Sequence, residues 1–308
     1  MSNKQDMYKH FFSRFTFTND VETVNLWLSI QGGVDGNTQD DSGWSPLHHA
    51  AKYQPKIVRL LLDTEGINVN LKTNCGWTPL QVAARFRQLD TIRLLLVVEG
   101  LNINAIDLEG RTALHYAARY QPDVIPLLLN VEGLDVNLKT NYGWSALHIV
   151  AIFHQPHVVR LLLNVKGINI NTINCEGQTP LHFAVIHQPP VVPLLLEVEG
   201  INLNAKDKNG LTALHYVARY RPLIVPLLVN MEGLNINEID CDGWSALHYA
   251  TNYQPHIVPL LLNVKGIDVN VKTCDGWTAL QYATQYQPDI VPLFLNVPGI
   301  NLDMLYIT

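Results

Sequence analysis

Apolar residues recur along the chain in two helical patterns, and the pair of patterns returns every 33 or 34 residues. In the third copy the first pattern is ALHYAARY, residues 113–120, with Leu114, Ala117 and Ala118 on one side at helical spacing. A break, Gln-Pro in most copies, opens a second apolar run such as PDVIPLLLNV, residues 122–131. Each copy therefore predicts two short helices that are joined by a tight turn.

Two series of glycines mark the limits of the copies. Glycine stands at 43, 76, 110, 143, 177, 210, 243 and 276, and again at 66, 100, 133, 167, 200, 233, 266 and 299, so eight copies occupy residues 43–298. Two residues after the first glycine comes Ser or Thr in every copy, which can cap the first helix, and Pro or Ala follows. The second glycine ends the second helix. The alternating residues after it, such as Ile67–Leu71, predict extended backbone that the next turn closes into a hairpin-like finger.

A second proline follows four residues after the Gln-Pro proline in five copies. These prolines are Pro126, Pro193, Pro226, Pro259 and Pro292, while Arg59, Arg93 and Arg160 occupy the same place elsewhere. We predict that this position lies in the first turn of the second helix, where a missing N–H costs little, and that it faces solvent.

The copies resemble the ankyrin repeat, with G-[WRQL]-[ST]-[PA]-L-[HQ] at the head and an LLL run before the second glycine. GWSPLHHAA at residues 43–51 and GQTPLHFAV at 177–185 are especially close, and the resemblance covers essentially the whole chain. It implies an all-α ankyrin-repeat solenoid of stacked helix-turn-helix units with hairpin-like fingers. We expect an N-terminal capping unit at residues 1–42, eight repeats at 43–298 and a C-terminal tail at 299–308.

Composition and charge narrow the class of partner. Of the 308 residues, 16% are charged, and the net charge is −6 without any block of lysine or arginine, so nucleic acid is a poor partner. No apolar stretch is long enough to span a membrane, and the N-terminus lacks the apolar core of a signal peptide. We expect a cytoplasmic protein, with the nucleus or delivery into a host cell as alternatives. The four cysteines form no C-x-x-C pair and are interpreted as reduced, structural thiols.

Candidate chemistry is sparse. The chain has no G-x-S-x-G, H-E-x-x-H, phosphate-binding loop or dinucleotide motif, so we expect no enzyme, no cofactor and no metal. One histidine recurs per copy, at His48, His115, His148, His182, His215 and His248. The resemblance implies that it hydrogen-bonds the backbone near the finger.

Aromatic residues are concentrated at two positions of the copies. Directly after the turn glycine stand Trp44, Trp77, Trp144, Trp244 and Trp277, with Arg111 in the third copy. At the end of the first helix stand Tyr53, Phe86, Tyr120, Phe153, Tyr220, Tyr253 and Tyr286. The resemblance places both sets, with finger-tip residues such as Tyr142, on the concave partner-binding face. Because Trp and Tyr are enriched in binding hot spots, we expect partner contacts there; the alternative is that the aromatics only pack along the finger base.

The expected function is binding of another protein, as adaptor, scaffold or inhibitor. Three alternatives stay open: a nucleotide or glycan stacked on the tryptophan row, a host-directed effector of a bacterium or virus that acts by binding, and an architectural or self-assembling array. A monomer is expected, although the apolar C-terminus favours end-to-end contact. Asn137 and Asn270, each preceded by Asp-Val and by a leucine eight residues back, resemble the setting in which asparaginyl hydroxylases modify ankyrin fingers.

Overall fold

The computed structural model describes residues 35–154 and 156–302, and most of the predicted capping unit and residues 303–308 lie outside them. The described residues form sixteen α-helices in eight pairs and no strand. The first helices are α1 Pro46–Tyr53, α3 Pro79–Arg85, α5 Ala113–Tyr120, α7 Ala146–Phe153, α9 Pro180–His187, α11 Ala213–Tyr220, α13 Ala246–Tyr253 and α15 Ala279–Tyr286. The second helices are α2 Pro55–Leu62, α4 Leu89–Leu96, α6 Ile125–Leu129, α8 Pro156–Leu163, α10 Val192–Leu196, α12 Val225–Val229, α14 Val258–Leu262 and α16 Val291–Leu295. The predicted all-α repeat of helix pairs is confirmed.

The chain divides into two compact units, residues 1–149 and 150–308. In the first unit α1 packs against α3 and α3 against α5; in the second, α9, α11, α13 and α15 pack in the same succession. The leucine of each first helix, such as Leu47, Leu114 or Leu247, is buried, as is the central leucine of most second helices. Helices of eight residues or fewer are marginal alone in water, so burial against the next pair holds each of them in place.

The predicted caps begin the first helices. In α5 the hydroxyl of Thr112 accepts a hydrogen bond from the backbone N–H of His115 at 3.4 Å, and Nδ1 of His115 accepts from the backbone N–H of Thr112 at 3.1 Å. This reciprocal capping box satisfies two backbone donors that the helix itself leaves without partners. In α3 the same exchange runs between Thr78 and Gln81.

The second proline decides how a second helix begins. Pro126 is the second residue of α6, and a 3₁₀ turn, Pro122–Val124, precedes that helix. Pro126 has no N–H to donate to the carbonyl of Pro122, so that carbonyl accepts instead from the backbone N–H of Ile125. All five repeats with the second proline have this turn, whereas α2, with Arg59 in that place, starts directly at Pro55. The predicted first-turn position is confirmed, and its side chain is exposed or half-exposed in all eight repeats.

Two repeats have one more residue between their helices, Arg87 in the second and His154 in the fourth. Arg87 has φ of +63°, and among the described residues it is the one side chain other than glycine in the left-handed region. This conformation costs a residue with a Cβ about 1–2 kcal/mol. The loop between α3 and α4 is therefore strained at an exposed arginine.

The expectation of extended backbone at Ile67–Leu71 is wrong in detail. Val69 and Asn70 form a turn, in which the side-chain oxygen of Asn68 accepts from the backbone N–H of Asn70 at 2.9 Å. Asn70 in turn donates to the carbonyl of Gly100 at 2.7 Å. The alternation arises because the asparagines bind backbone groups while Val69 points into the core. The next turn does close the finger: the backbone N–H of Thr73 donates to the carbonyl of Trp77 at 2.9 Å, and the other seven fingers have the equivalent bond. Within the described ranges, β-bridges are limited to three isolated ones, 139–145, 239–245 and 272–278.

The finger tips of neighbouring repeats approach closely at the turn glycines. Gly76 has φ of +80°, and a Cβ built on it would lie 2.8 Å from the backbone nitrogen of Leu108. That nitrogen donates to the carbonyl of Cys75 at 3.2 Å. Glycine is required here both for the left-handed turn and for this contact between fingers.

Candidate functional site

In five of the first helices a histidine joins its own helix to the next finger. His48 Nδ1 accepts from the backbone N–H of Ser45 at 3.1 Å, so Nε2 carries the proton and donates to the carbonyl of Trp77 at 2.8 Å. His115, His182, His215 and His248 make the equivalent bond to the next finger. The expected backbone role is confirmed for these five histidines. Residues 35–154 and 156–302 contain no group of three or more His, Cys, Asp or Glu side chains that could hold a metal ion.

Burial keeps these histidines neutral. Loss of solvent lowers the pKa of His48 and of His248 to about 4. Burial also lowers the pKa of His115, His182 and His215, although their bonds to backbone carbonyls act in the opposite direction. The row is therefore uncharged at neutral pH and serves as a structural link.

The tryptophan row is half-buried and packs against neighbouring rings. In the first unit Trp77 meets Trp44 edge-on at 6.4 Å between ring centroids and Tyr116 at 6.0 Å. In the second unit Trp244 lies 4.9 Å from Tyr282 and 5.2 Å from Tyr249. Packing thus accounts for the buried part of each tryptophan, and the remaining part of each ring is open to solvent.

The aromatic residues that end the first helices are more exposed. Their exposed fraction reaches 58% at Tyr286, and Tyr53, Phe153, Tyr220 and Tyr253 are exposed as well, whereas Phe86 and Tyr120 are half-buried. The rings of Tyr53 and Phe86 are 6.1 Å apart, so neighbouring repeats bring these rings together. At the finger tips Tyr142 is 65% exposed. Burial in the fold does not explain these repeated aromatic side chains.

A carboxylate and an aromatic hydroxyl pair inside three of the fingers, a feature that the sequence reasoning missed. Tyr116, Tyr216 and Tyr249 donate to the side chains of Asp107, Asp207 and Asp240, with O–O distances of 2.6, 2.8 and 2.6 Å. Each aspartate stands nine residues before its tyrosine. This fixed interval is the signal that a comparison of the copies could have revealed.

Arg111, which takes the tryptophan position in the third repeat, is bound within its own finger. Its Nε donates to Asp107 Oδ2 at 2.9 Å, and its Nη1 lies 2.8 Å from Glu109. Burial alone would raise the pKa of Asp107, but the hydrogen bonds from Tyr116 and Arg111 together lower that pKa below its usual value. Arg111 therefore stabilises the finger as well as forming part of its surface.

The cysteines correct one interpretation made from the sequence. Cys75, Cys175, Cys241 and Cys274 are exposed at finger tips and none is in a disulfide, so they are thiols, as expected, but they do not belong to the core. Finger tips are the most variable positions of the repeats, and a cysteine there has no core packing to maintain.

The predicted modification sites lie at the bases of fingers. Asn270 donates to the carbonyl of Gly299 at 2.9 Å and accepts from the backbone N–H of Asn301 at 2.8 Å. The backbone N–H of Asn137 donates to Asp135 Oδ1 at 2.9 Å. Both side chains are half-buried. The side chain of Asn270 therefore has a structural role, because it binds backbone groups of the next repeat.

An open cavity of about 440 Å³ lies beside α12 and α14, on the side of the second helices. Apolar side chains including Met231, Leu234 and Leu260 line it, with Lys265 at its margin. Val229 also lines it, at a position where the other seven repeats have leucine. No tryptophan of the predicted contact row borders this cavity.

The helix pairs, the capped turns and the histidine links together define a class of protein, the all-α tandem repeat with a hydrogen-bonded finger between pairs. The sequence model of a family described as ankyrin repeats (three copies) matches residues 13–107, 70–140, 89–174, 114–207, 165–240, 187–273 and 217–304. The chain belongs to the ankyrin-repeat family. Ankyrin repeats generally serve as protein–protein interaction modules and are typically non-enzymatic. No curated protein sequence matches the chain.

Helices in the described part of the chain reach eight residues, and none has the length or apolar character of a membrane span.

Proposed function

We propose that the chain binds another protein, as an adaptor, scaffold or inhibitor, through its finger tips and the exposed ends of its first helices. The observation that carries this proposal is the exposure of repeated aromatic side chains in each unit: Tyr53 and the finger-tip Tyr142 in the first, and Phe153, Tyr220, Tyr253 and Tyr286 in the second. Exposed tyrosines bury a large area on binding at low entropic cost, because they have few rotatable bonds.

The division between packed and exposed aromatics supports the proposal. The tryptophans are half-buried, and the rings of Trp44 and Trp77 pack edge-on against each other. The helix-end aromatics are not needed for burial. A rigid surface with exposed rings loses little conformational freedom when a partner docks.

The test is partner identification by crosslinking in the native cell, with a matched pair of variants. Tyr53→Ala and Tyr142→Ala together should abolish the captured partner while leaving the melting transition unchanged, because both side chains are exposed. Val97→Ala, at an exposed apolar residue after α4, is the control and should retain the partner. Equal capture by all three proteins would contradict the proposal.

A second proposal concerns modification of Asn137 and Asn270 by an asparaginyl hydroxylase. Both asparagines belong to Asp-Val-Asn segments at finger bases. Hydroxylation of Asn270 at Cβ leaves its side-chain amide able to keep its bonds to Gly299 and Asn301, so we expect the folded repeat to tolerate the product. Incubation with such an enzyme should add the mass of one oxygen atom to each peptide, and mass spectrometry that finds neither would dispose of the proposal.

A further inference from the structure

Basic side chains in the first unit lie on the rings of the helix-end aromatics. Lys52, Arg85 and Arg119, called here the cation ladder, each stand immediately before such an aromatic residue. The ammonium of Lys52 is 4.8 Å from the ring centroid of Tyr53 and 4.6 Å from that of Phe86 in the next repeat. These distances are typical of cation–π contacts.

The same arrangement continues one repeat further. The guanidinium carbon of Arg85 lies 5.7 Å from the ring of Phe86 and 4.1 Å from that of Tyr120, and Arg119 lies 5.8 Å from Tyr120. Each of the first two cations therefore reaches the ring of the following repeat. Positive charges and aromatic rings alternate along the ends of α1, α3 and α5.

The charges of Lys52 and Arg85, the first two members of this ladder, are not neutralised by a carboxylate among the described residues. Within residues 35–154 and 156–302, no carboxylate lies within 4.0 Å of Lys52 or Arg85, whereas Arg111 in the same unit is paired with Asp107 and Glu109. An aromatic face orients a cation but supplies no counter-charge. In a chain of net charge −6, Lys52 and Arg85 are thus available to an acidic partner.

Arg87 adds a fourth positive charge in the loop that follows α3. It is exposed and holds φ of +63°, a conformation that glycine or asparagine would adopt at lower cost. Strained backbone of this kind persists most often at sites of function.

The spacing of the ladder determines the shape of its ligand. Neighbouring helices pack about 8–10 Å apart, so successive cations are separated by about that distance. A polyproline II segment has three residues per turn and rises about 3.1 Å per residue, which places every third side chain on one face at about 9 Å. We propose that the first unit binds a polyproline II segment of a partner protein with an acidic residue at every third position. This inference rests on the proposed protein-binding function and names the chemistry of the partner.

The second unit provides the matched control. Of the equivalent positions there, Ile186, Arg219, Asn252 and Gln285, one is basic. Arg219 lies 4.9 Å from the ring of Tyr220 and 4.8 Å from that of Tyr253, so its ring contacts match those of the ladder. A single cation offers no repeated spacing for an acidic segment to match.

The experiment measures binding of a fluorescent peptide of three Glu-Pro-Pro triplets to the full chain by anisotropy at low ionic strength. The intact protein should bind it about tenfold more tightly than a peptide of the same composition with its three glutamates adjacent. An exposed ion pair contributes up to about fivefold, so Lys52→Gln, Arg85→Gln and Arg119→Gln together should weaken binding by about tenfold or more. Arg219→Gln should leave the affinity unchanged, and Arg85→Lys, which keeps the charge, should retain most of the binding.

Three results would overturn the inference: equal affinity for both peptides, equal loss on Arg219→Gln, or binding of a single-stranded oligonucleotide as tight as that of the spaced peptide. The melting transition of each variant is recorded. If the triple variant is unfolded, the peptide affinities of Arg85→Lys and Arg85→Gln are compared instead, and equal affinities would contradict the inference. If the ladder variants still bind the partner that is captured in the cell, the proposed function stands and this inference is contradicted.

Discussion

Tyr116 donates a hydrogen bond of 2.6 Å to Oδ2 of Asp107, nine residues earlier in the same repeat. The other carboxylate oxygen accepts from the backbone N–H groups of Glu109 and Arg111, both at about 2.9 Å. One side chain therefore shapes the finger turn and fixes it to α5. All four aspartates at this position face Tyr or His nine residues later, whereas Thr73 and Thr140 face Val82 and Ile149, and Thr273 faces Tyr282.

Tyr116→Phe should lower the free energy of unfolding by about 1.5–3 kcal/mol, because it removes a hydrogen bond to a buried carboxylate. The control is Tyr282→Phe, whose partner is the neutral hydroxyl of Thr273, and its cost should be about 0.5–1.5 kcal/mol. Urea denaturation measures both. Asp107→Thr combined with Tyr116→Phe should cost less than the sum of the two single changes, and strict additivity would contradict the pairing.

Acid should destabilise the protein through the buried histidines. Burial lowers the pKa of His48 and of His248 to about 4 in the folded chain, while an unfolded histidine titrates near 6.5. Above pH 6.5 both states are neutral and the full stability is present. As pH falls from about 6.5 to 4, the unfolded state takes up protons first, so each such histidine lowers the free energy of unfolding by up to about 1.4 kcal/mol per pH unit.

Glutamine offers a control for that titration. In the second repeat Gln81 replaces the histidine, accepting from the backbone N–H of Thr78 at 2.7 Å and donating to the carbonyl of Arg111 at 2.6 Å. His48→Gln with His248→Gln should therefore keep the fold at pH 7 and flatten the decline of stability between pH 6.5 and 4. Denaturation curves at a series of pH values measure how the free energy of unfolding changes with pH. An unchanged dependence on pH would show that other groups govern the acid response.

Arg87→Gly should stabilise the fold by about 1 kcal/mol, because glycine adopts φ of +63° without the steric cost that a Cβ imposes. Arg87→Ala removes the same charge but keeps the Cβ, so it should bring no such gain. Thermal and urea denaturation of the two variants separate backbone strain from charge. A gain of equal size for alanine would mean that the arginine side chain, and not its backbone, is the source of instability.

Trp144→Ala should weaken binding of the captured partner by more than about 1 kcal/mol, because part of its half-buried ring is open to solvent. Trp77→Ala should instead lower the stability by about 2–4 kcal/mol, since the ring of Trp77 is packed edge-on against both Trp44 and Tyr116. Calorimetry and a binding assay on both variants measure the contrast. Loss of folding in Trp144→Ala would assign Trp144 to the core.

The sequence predicts the helix pairs because glycine, hydroxyl cap and apolar spacing are local signals that agree in all eight copies. It also places the second proline correctly, but the 3₁₀ turn at Pro122–Val124 follows only when the carbonyl left without a helical partner is counted. The expectation at Ile67–Leu71 is wrong because alternation has two causes, a strand or asparagines that bind backbone, and composition alone does not distinguish them.

For the candidate site, the sequence predicts which residue types recur better than it predicts what each residue does. Repetition identifies both aromatic rows, but whether a ring such as that of Trp77 packs or is exposed depends on the neighbouring repeat. The contacts of Lys52 and Arg85 with rings of the following repeat join residues more than thirty positions apart, so no short-range pattern shows them. Such contacts require the register between repeats that the structure supplies.

The pairing of Asp107 with Tyr116 also bears on how repeats of this kind can be duplicated or exchanged by recombination. A crossover inside that nine-residue interval could set an aspartate against valine, whereas a crossover at the glycine that ends a second helix carries the pair over intact. A gene segment cut at those glycines thus carries the aspartate together with its tyrosine, and an array can gain or lose repeats without leaving that carboxylate unpaired.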